Sequence, residues 1–441
     1  MYNVSTDFLS AISAMGREIR GRVTVNGTTY TDEDYLQSIE MIRSVQSEQK
    51  VIGNAISKQA TVKLLSAFDG VSIAGTVKTG MTVEVELGCV LADGTSEYVQ
   101  YAALTIESVD EKTVSDVITI VAYDALQLLN HTPISVISGI TYPATVSQYM
   151  QAICEAGGLE MEPYTGFDLT ISEQPNLSGT ESLRTVLAYG AEALLANVRI
   201  SAAGKIKITP VFPVGTPVLQ LTGDDYYAYD LAEKVGAINS LVLGRSPQED
   251  NVYKQDAEDI LANGLHELRI DNNPFLDYGE EDSRYDYLDA LFAKVDGQSY
   301  MPFVLDWRGN PAVEEGDIVS LTDLENQTVT TIYGGDTQTF NGGLRVKAEL
   351  KGKSQTETDY TIGLSQRDVQ RQAELRVNKV EGQITAVVTE QQEIQVSTDA
   401  RLEELEQRIQ TNQTLIEQTA NQIKASMSET GGSNMLANSV G

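Results

Sequence analysis

Cysteine is almost missing from this chain. Cys89 and Cys154 are the only two in 441 residues, too few for a disulfide framework or a thiolate metal cluster. Histidine is as scarce, at His131 and His266. The stretch HELR (266–269) has no second histidine four residues after the first, which removes a HExxH zinc site. A Cys/His hydrolase needs a nucleophile with a supporting histidine. Cys89 instead lies in a strand-like stretch, and Cys154 shares the apolar face of a helical pattern with Met150 and Leu159. Both read as small buried hydrophobes.

Long apolar runs are missing too. None reaches the 18 residues of a membrane span, and VLAYGAEALLANV (186–198) is broken by Glu192. The start MYNVSTDFLSAISAMGREIR has neither a basic n-region nor an apolar h-region, so no signal peptide is expected. The Gly-rich phrases YGGD (333–336) and NGG (341–343) match no phosphate loop and read as hairpin turns. Glu280, Glu281, Asp282, Asp286 and Asp289 lack the glycine and the terminal bidentate Glu of an EF-hand. They read as a helix start with carboxylates near its positive dipole end. Residue counts alone leave a paired-carboxylate glycosidase open. The sequence assigns no catalytic, metal or cofactor-binding residue, and the expectation is a protein without enzymatic activity.

Cations are in the minority: 31 Lys and Arg face 63 Asp and Glu, a net charge of −32. Residues 366–441 carry 7 basic and 11 acidic side chains, which leaves −28 on residues 1–365. Such a surface repels nucleic acid and anionic membranes. It serves solubility, or forms an acidic wall past which a polyanion slides without sticking.

What is present is mostly strand. GRVTVNGTTY (21–30) sets Asn26-Gly27 between alternating runs, a type I′ hairpin signal. Residues 81–109 alternate likewise and turn at Asp93-Gly94. VITIVAYDALQLLN (117–130) switches from strand to helical spacing at Asp124, the expected N-cap, with Leu126, Leu128 and Leu129 packing the first turns. Residues 131–235 read as a small α/β unit, with helices over 145–158 and 181–198 and a hairpin turning at Ala203-Gly204. Strands return over 236–365, at 238–245, 266–270, 317–321, 328–335 and 344–352, interrupted by a helix at 280–295. The expected fold is a β-rich α+β chain. Two β-barrel-like domains (1–130 and 236–365) flank the α/β domain of 131–235.

A heptad seam follows. Val377, Val380, Ile384, Val387, Ile394, Leu402, Leu405, Ile409, Asn412, Ile416 and Ile423 recur at alternating steps of 3 and 4, with one stutter at 394–398–402. No proline occurs after Pro311, and only Gly382 weakens a helix before Gly431. This predicts a parallel coiled coil over 366–428, roughly 90 Å long at about 1.5 Å per residue. Val or Ile at both core positions in its first half favours a trimer. Residues 429–441 read as a linker or the start of a further distal domain. Tyr226, Tyr227, Tyr229, Tyr278, Tyr285 and Tyr287 stand close to acidic residues, a mixture suited to polar protein–protein surfaces. Tyr226, Tyr227 and Tyr285 are the candidate subunit or ring contacts.

Several phrases, in order, resemble the phage tail hub proteins of the tail-associated, baseplate-hub family. They are MYNVSTDFLSAI (1–12), GTESLRTVLAYGAEALLANVRISAAGKIKI (179–208), AINSLVLGRSPQEDNV (237–252), LRIDNNPFLD (268–277), DWRGNPAVEEGDIVSL (306–321) and TQTFNGGLRVKAEL (337–350). The resemblance covers about residues 1–365 and implies a structural homotrimer at the distal end of a tail, within the virion. Each chain would supply two similar β domains, six in all, to match a six-fold tail tube or distal tail ring. The trimer would close the tube, contact the tape-measure protein and project the stalk toward downstream receptor-binding proteins or the host surface. No sequence-specific nucleic acid and no cofactor is implied. Two other readings stay open: a trimeric stalked adhesin for cell-surface polysaccharide, and a tail-associated cell-wall hydrolase whose catalytic domain lies elsewhere.

Overall fold

The computed structural model describes residues 1–350, apart from 48–49, 112–115, 213–214, 232–236, 246–249, 280–281 and 324–325. The predicted coiled coil, its seam from Val377 to Ile423 and the 429–441 segment lie outside the described residues.

The turn chemistry builds the N-terminal strands. Asn26 and Gly27 take φ of 47° and 86°, the left-handed pair that a type I′ turn needs. Strand Ile19–Val25 therefore folds straight back as Thr28–Thr31. Strands Thr82–Val90 and Ser96–Gln100 pair about Asp93-Gly94. Asp124 does cap the next element, its carboxylate accepting the Leu126 N–H at 3.1 Å. That element is a 3-10 helix, Ala125–His131, in which Leu126 and Leu129 are buried and Leu128 points outward. Leu126 and Leu129, three residues apart, share a face in either kind of helix, and Leu128 falls off that face in both.

In the α/β unit, Thr145 and Gln148 form a reciprocal capping box at the start of helix Val146–Ala156. Helix Leu183–Ala193 is capped by Ser182. It stops five residues short of the expected end, because Leu195 turns at φ 55° and Ala196–Ile200 leaves as a strand. Every residue of that strand is buried, Asn197 and Arg199 included, although its sequence alternates apolar and polar. It pairs with Ile206–Pro210 about the turn at Gly204. The expected 280–295 helix begins at Arg284 and ends at Val295.

The β architecture differs from two closed barrels. One 12-stranded sheet runs through both halves: Tyr226–Leu231, Phe303–Trp307, Leu344–Leu350, Gly335–Phe340, Leu36–Ser44, Gln59–Leu65, Val117–Tyr123, Leu104–Glu111, Thr82–Val90, Ile19–Val25 and Thr28–Thr31, with Ser96–Gln100 branching from Thr82–Val90. The halves join where Gly335–Phe340 pairs antiparallel with Leu36–Ser44 over six residues. That joint sets strands from 1–130 and 236–365 in one ladder, and no sheet among the described residues closes on itself. Ile19–Val25 curls back over the joint. A Cβ on Gly21 would sit 2.6 Å from the Phe340 ring, so only glycine lets the backbone approach. The phrase YGGD is a crossover rather than a hairpin turn. Thr328–Ile332 belongs to a separate three-stranded sheet with Leu219–Leu221 and Ile318–Thr322, and Gly335 already opens the next strand in the large one. NGG does turn the hairpin between Gly335–Phe340 and Leu344–Leu350.

Candidate functional site

Charged side chains are concentrated beside the joint between the halves, in its core rather than on its surface. Along Leu36–Ser44 the buried positions are Leu36, Ile39, Met41 and Arg43, and the exposed ones include Ile42. Arg43 thus occupies the next inward position after two hydrophobes. Directly across the ladder stands Asp336, equally inward. Arg43 Nε and Nη2 donate to the two Asp336 oxygens at 2.8 and 2.5 Å, a bidentate fork. Its Nη1 donates to the Val313 carbonyl at 3.0 Å. Asp336 also accepts from Tyr333 OH at 2.7 Å and Gln338 Nε2 at 3.0 Å.

The loop after Trp307 brings a second anion to the same place. Glu315 is buried, with Lys58 Nζ at 3.2 Å, Arg43 Nε at 3.8 Å and Arg199 Nη1 at 3.8 Å. Its oxygens are held by charge rather than by aligned hydrogen bonds. Burial would raise its pKa; the three cations prevail and hold the carboxyl down at about 2. Arg199, from the α/β hairpin, reaches Glu314 at 3.1 Å and Thr209 Oγ1 at 3.2 Å. Lys58 Nζ also donates to Tyr2 OH at 3.3 Å. The Lys58 backbone N–H donates to Asp124 at 2.9 Å, and burial raises the Asp124 carboxyl to about 6. The cluster therefore locks four separate stretches of chain: the N-terminal strands, the α/β hairpin, the 310–317 loop and the last hairpin. Removing one member of a buried pair costs about 3–5 kcal/mol, because the partner is left charged and dry.

This arrangement suits rigid joining. Among the described residues, no group of three His, Cys, Asp or Glu side chains is placed to hold a metal ion. Cys154 is buried and its thiol is pushed up to about 12 by desolvation; burial raises Cys89 as well. The acidic run of 282–289 is taken up by arginine and lysine. Asp282 pairs with Arg284 at 2.6 Å and Asp289 with Lys254 at 2.6 Å, while Asp286 lies in the first helical turn. Trp307 is buried in the core.

The tyrosines separate into three groups. Tyr278 and Tyr287 are buried with their hydroxyls in contact, and Tyr287 OH donates to the Thr170 carbonyl at 3.1 Å. Tyr226 is half-buried, stacked on Tyr229 at 5.1 Å, and donates to the Thr322 carbonyl at 3.2 Å. Tyr227 and Tyr285 are exposed at 70% and 66%. Tyr226 and Tyr227 share the terminal strand of the large sheet, whereas Tyr285 sits on the Arg284–Val295 helix.

Sequence reasoning missed the ion cluster. Its signal was present as period-two spacing: Ile39, Met41, Arg43 on one strand and Asp336, Gln338, Phe340 on its partner.

No family model and no curated protein matches the chain. Among solved structures, it is similar to the 43 kDa tail protein of prophage MuSo2 from Shewanella oneidensis, with 14% identity over 75% of this chain and 97% of that one and a TM-score of 0.50. It is also similar to a tail protein from Neisseria meningitidis MC58 (10% identity, 76% and 97% covered, TM-score 0.48) and to a prophage tail protein from Listeria monocytogenes EGD-e (11%, 76% and 95%, TM-score 0.44). The first of these likenesses shows a shared fold: the chain is built as a prophage tail protein is built.

Proposed function

We propose that this chain is the structural hub at the distal end of a phage tail or of a phage-derived particle. The observation that carries the reading is the fold shared with the prophage MuSo2 tail protein, which extends over 97% of that chain. In this reading three copies form a ring that closes the tail tube. They meet the distal tail ring and the tape-measure protein on one side, and send the 366–428 stalk toward receptor-binding proteins or the host surface on the other. The continuous sheet and its buried ion cluster support a load-transmitting part. The charge of −32 suits a lumen that a polyanion must traverse without sticking.

The test is the solution mass of the full chain by light scattering, repeated after deletion from residue 366 onward. The expected mass is three chains. A trimer that survives deletion places the ring contacts in 1–365; a fall to monomer places them in the stalk. A monomer or dimer for the full chain overturns the hub. Turnover of cell-wall substrate by the full chain would instead favour the hydrolase.

A further inference from the structure

A three-stranded sheet away from the ion cluster has Ser240–Gly244 at its centre, between Val252–Gln255 and Glu267–Asp271. The helix Ala257–Asn263 links the two outer strands. It passes the end of the sheet where Ser240 pairs with Gln255 on one side and Glu267 on the other. None of its seven residues is buried. A helix this short is marginal in water unless something else holds it.

What holds it is one buried asparagine. Asn239 Nδ2 donates to Asp259 Oδ2 at 2.8 Å and to the Gly264 carbonyl at 2.7 Å, and Asn239 Oδ1 accepts the His266 N–H at 2.7 Å. Its backbone carbonyl accepts the Asp256 N–H at 2.9 Å. Both ends of the crossover are thus fixed by hydrogen bonds rather than by packing. The apolar side chains it carries are left on display: Leu261 is 88% exposed and Leu265 55%, with Tyr253 at 62% on the strand that leads in. Apolar side chains presented together on an anchored segment mark an interaction site.

The charge around the crossover selects the occupant. Asp256, Glu258, Asp259 and Glu267 lie on it or beside it; Asp256 caps the helix, and Asp259 is bound by the neutral Asn239 and Asn263. The cations on the surrounding elements are engaged. Lys254 is taken by Asp289 at 2.6 Å and Arg269 by Asp271 at 2.8 Å, and Lys294 lies over the Phe167 ring at 5.6 Å. A second copy, with 63 acidic against 31 basic side chains, brings repulsion to this spot. A cationic surface does not.

We infer that the crossover of residues 256–265 is a docking knob for a different protein: a basic amphipathic segment. Its apolar side chains cover Leu261 and Leu265, and its lysines or arginines meet the surrounding carboxylates. The contact adds a partner to the hub reading without resting on it.

The experiment follows the fluorescence anisotropy of a labelled amphipathic leucine–lysine peptide titrated with the full chain. Two reference peptides accompany it: one of the same composition scrambled so that no apolar face forms, and one with glutamate in place of lysine. The variants are Leu261→Ser combined with Leu265→Ser, and Glu258→Gln alone. All three positions are exposed, so the fold is retained, which thermal melts verify. The expected result is binding of the leucine–lysine peptide alone among the three. The double serine variant should weaken it about tenfold or more, the cost of two lost leucine contacts, and Glu258→Gln should weaken it less. No binding by the native chain overturns the knob. Equal binding by the native chain and the double serine variant also overturns it, because the net charge of −32 would then gather the peptide elsewhere. Both of those outcomes leave the hub reading standing. A fall in the chain's own mass by light scattering in the double serine variant would make the occupant a second copy and overturn the basic partner.

Discussion

Arg43 and Asp336 are 293 residues apart in the chain and face each other across adjacent strands, fork to carboxylate, with neither side chain exposed to solvent. A charge pair in that position acts as a test of correct assembly. It is tolerable when both strands arrive in register and unfavourable in any other pairing, since a one-residue slip turns Arg43 outward and Ile42 in.

Arg43→Met keeps the side-chain length and removes the charge, leaving Asp336 and Glu315 buried beside less compensation. The expected loss is about 3–5 kcal/mol in the free energy of unfolding, read from denaturant curves. A loss below about 1 kcal/mol would mean that the pair is hydrated in solution.

Acid should act on the cluster in two opposed steps. Asp124 has its folded pKa raised to about 6 from an ordinary 3.8, so the protonated form favours the fold. Its contribution is full below about 3.8 and is lost as pH rises through 6, at most about 3 kcal/mol. Glu315 behaves in the reverse sense. Held at about 2 against an ordinary 4.5, it contributes above 4.5 and is lost as pH falls toward 2. Lowering the pH from 7 to 5 should therefore raise the unfolding midpoint of the native chain relative to Asp124→Asn. Parallel pH profiles for the two proteins would rule out the Asp124 step.

Gly21→Val places a side chain against the Phe340 ring, where even a Cβ comes within 2.6 Å. Overpacking of this kind costs about 1–3 kcal/mol. Adding Phe340→Leu should return part of that loss, and a double-mutant cycle in urea measures the coupling. Independent, additive effects would show that the two strands do not touch there.

Tyr285→Ala and Tyr227→Ala remove exposed rings. Each should leave the unfolding free energy within about 0.5 kcal/mol of the native value. Tyr287→Ala, which empties a buried site, should lose about 3 kcal/mol or more. Thermal melts of the three variants separate surface from core, and equal losses would contradict that division.

Local chemistry was legible wherever a few neighbouring residues decide the outcome. Asn26-Gly27, Asp93-Gly94 and Gly204 each marked a hairpin, and Thr145, Ser182 and Asp124 each capped the element expected after them. Legibility failed where distant partners decide. Alternation in Leu36–Ser44 shows that one face is buried, but nothing nearby says that Gly335–Phe340 will cover it, so the halves read as two barrels. The ion cluster was hidden for the same reason: an arginine between hydrophobes looks like a surface residue until its carboxylate is found. Tyr278 and Tyr287 drew attention through their acidic neighbours, yet the fold turns both inward.

The joint between Leu36–Ser44 and Gly335–Phe340 also orders events in time. A ribosome delivers the first strand about 290 residues before its neighbour. During that interval Gln59–Leu65 covers one edge of Leu36–Ser44 while the other stays bare, and Arg43 has no carboxylate across from it. The nascent N-terminal half is thus held in a provisional state that only the arrival of the last hairpin completes. A truncated product that never reaches Asp336 keeps both a bare strand edge and an unmatched arginine.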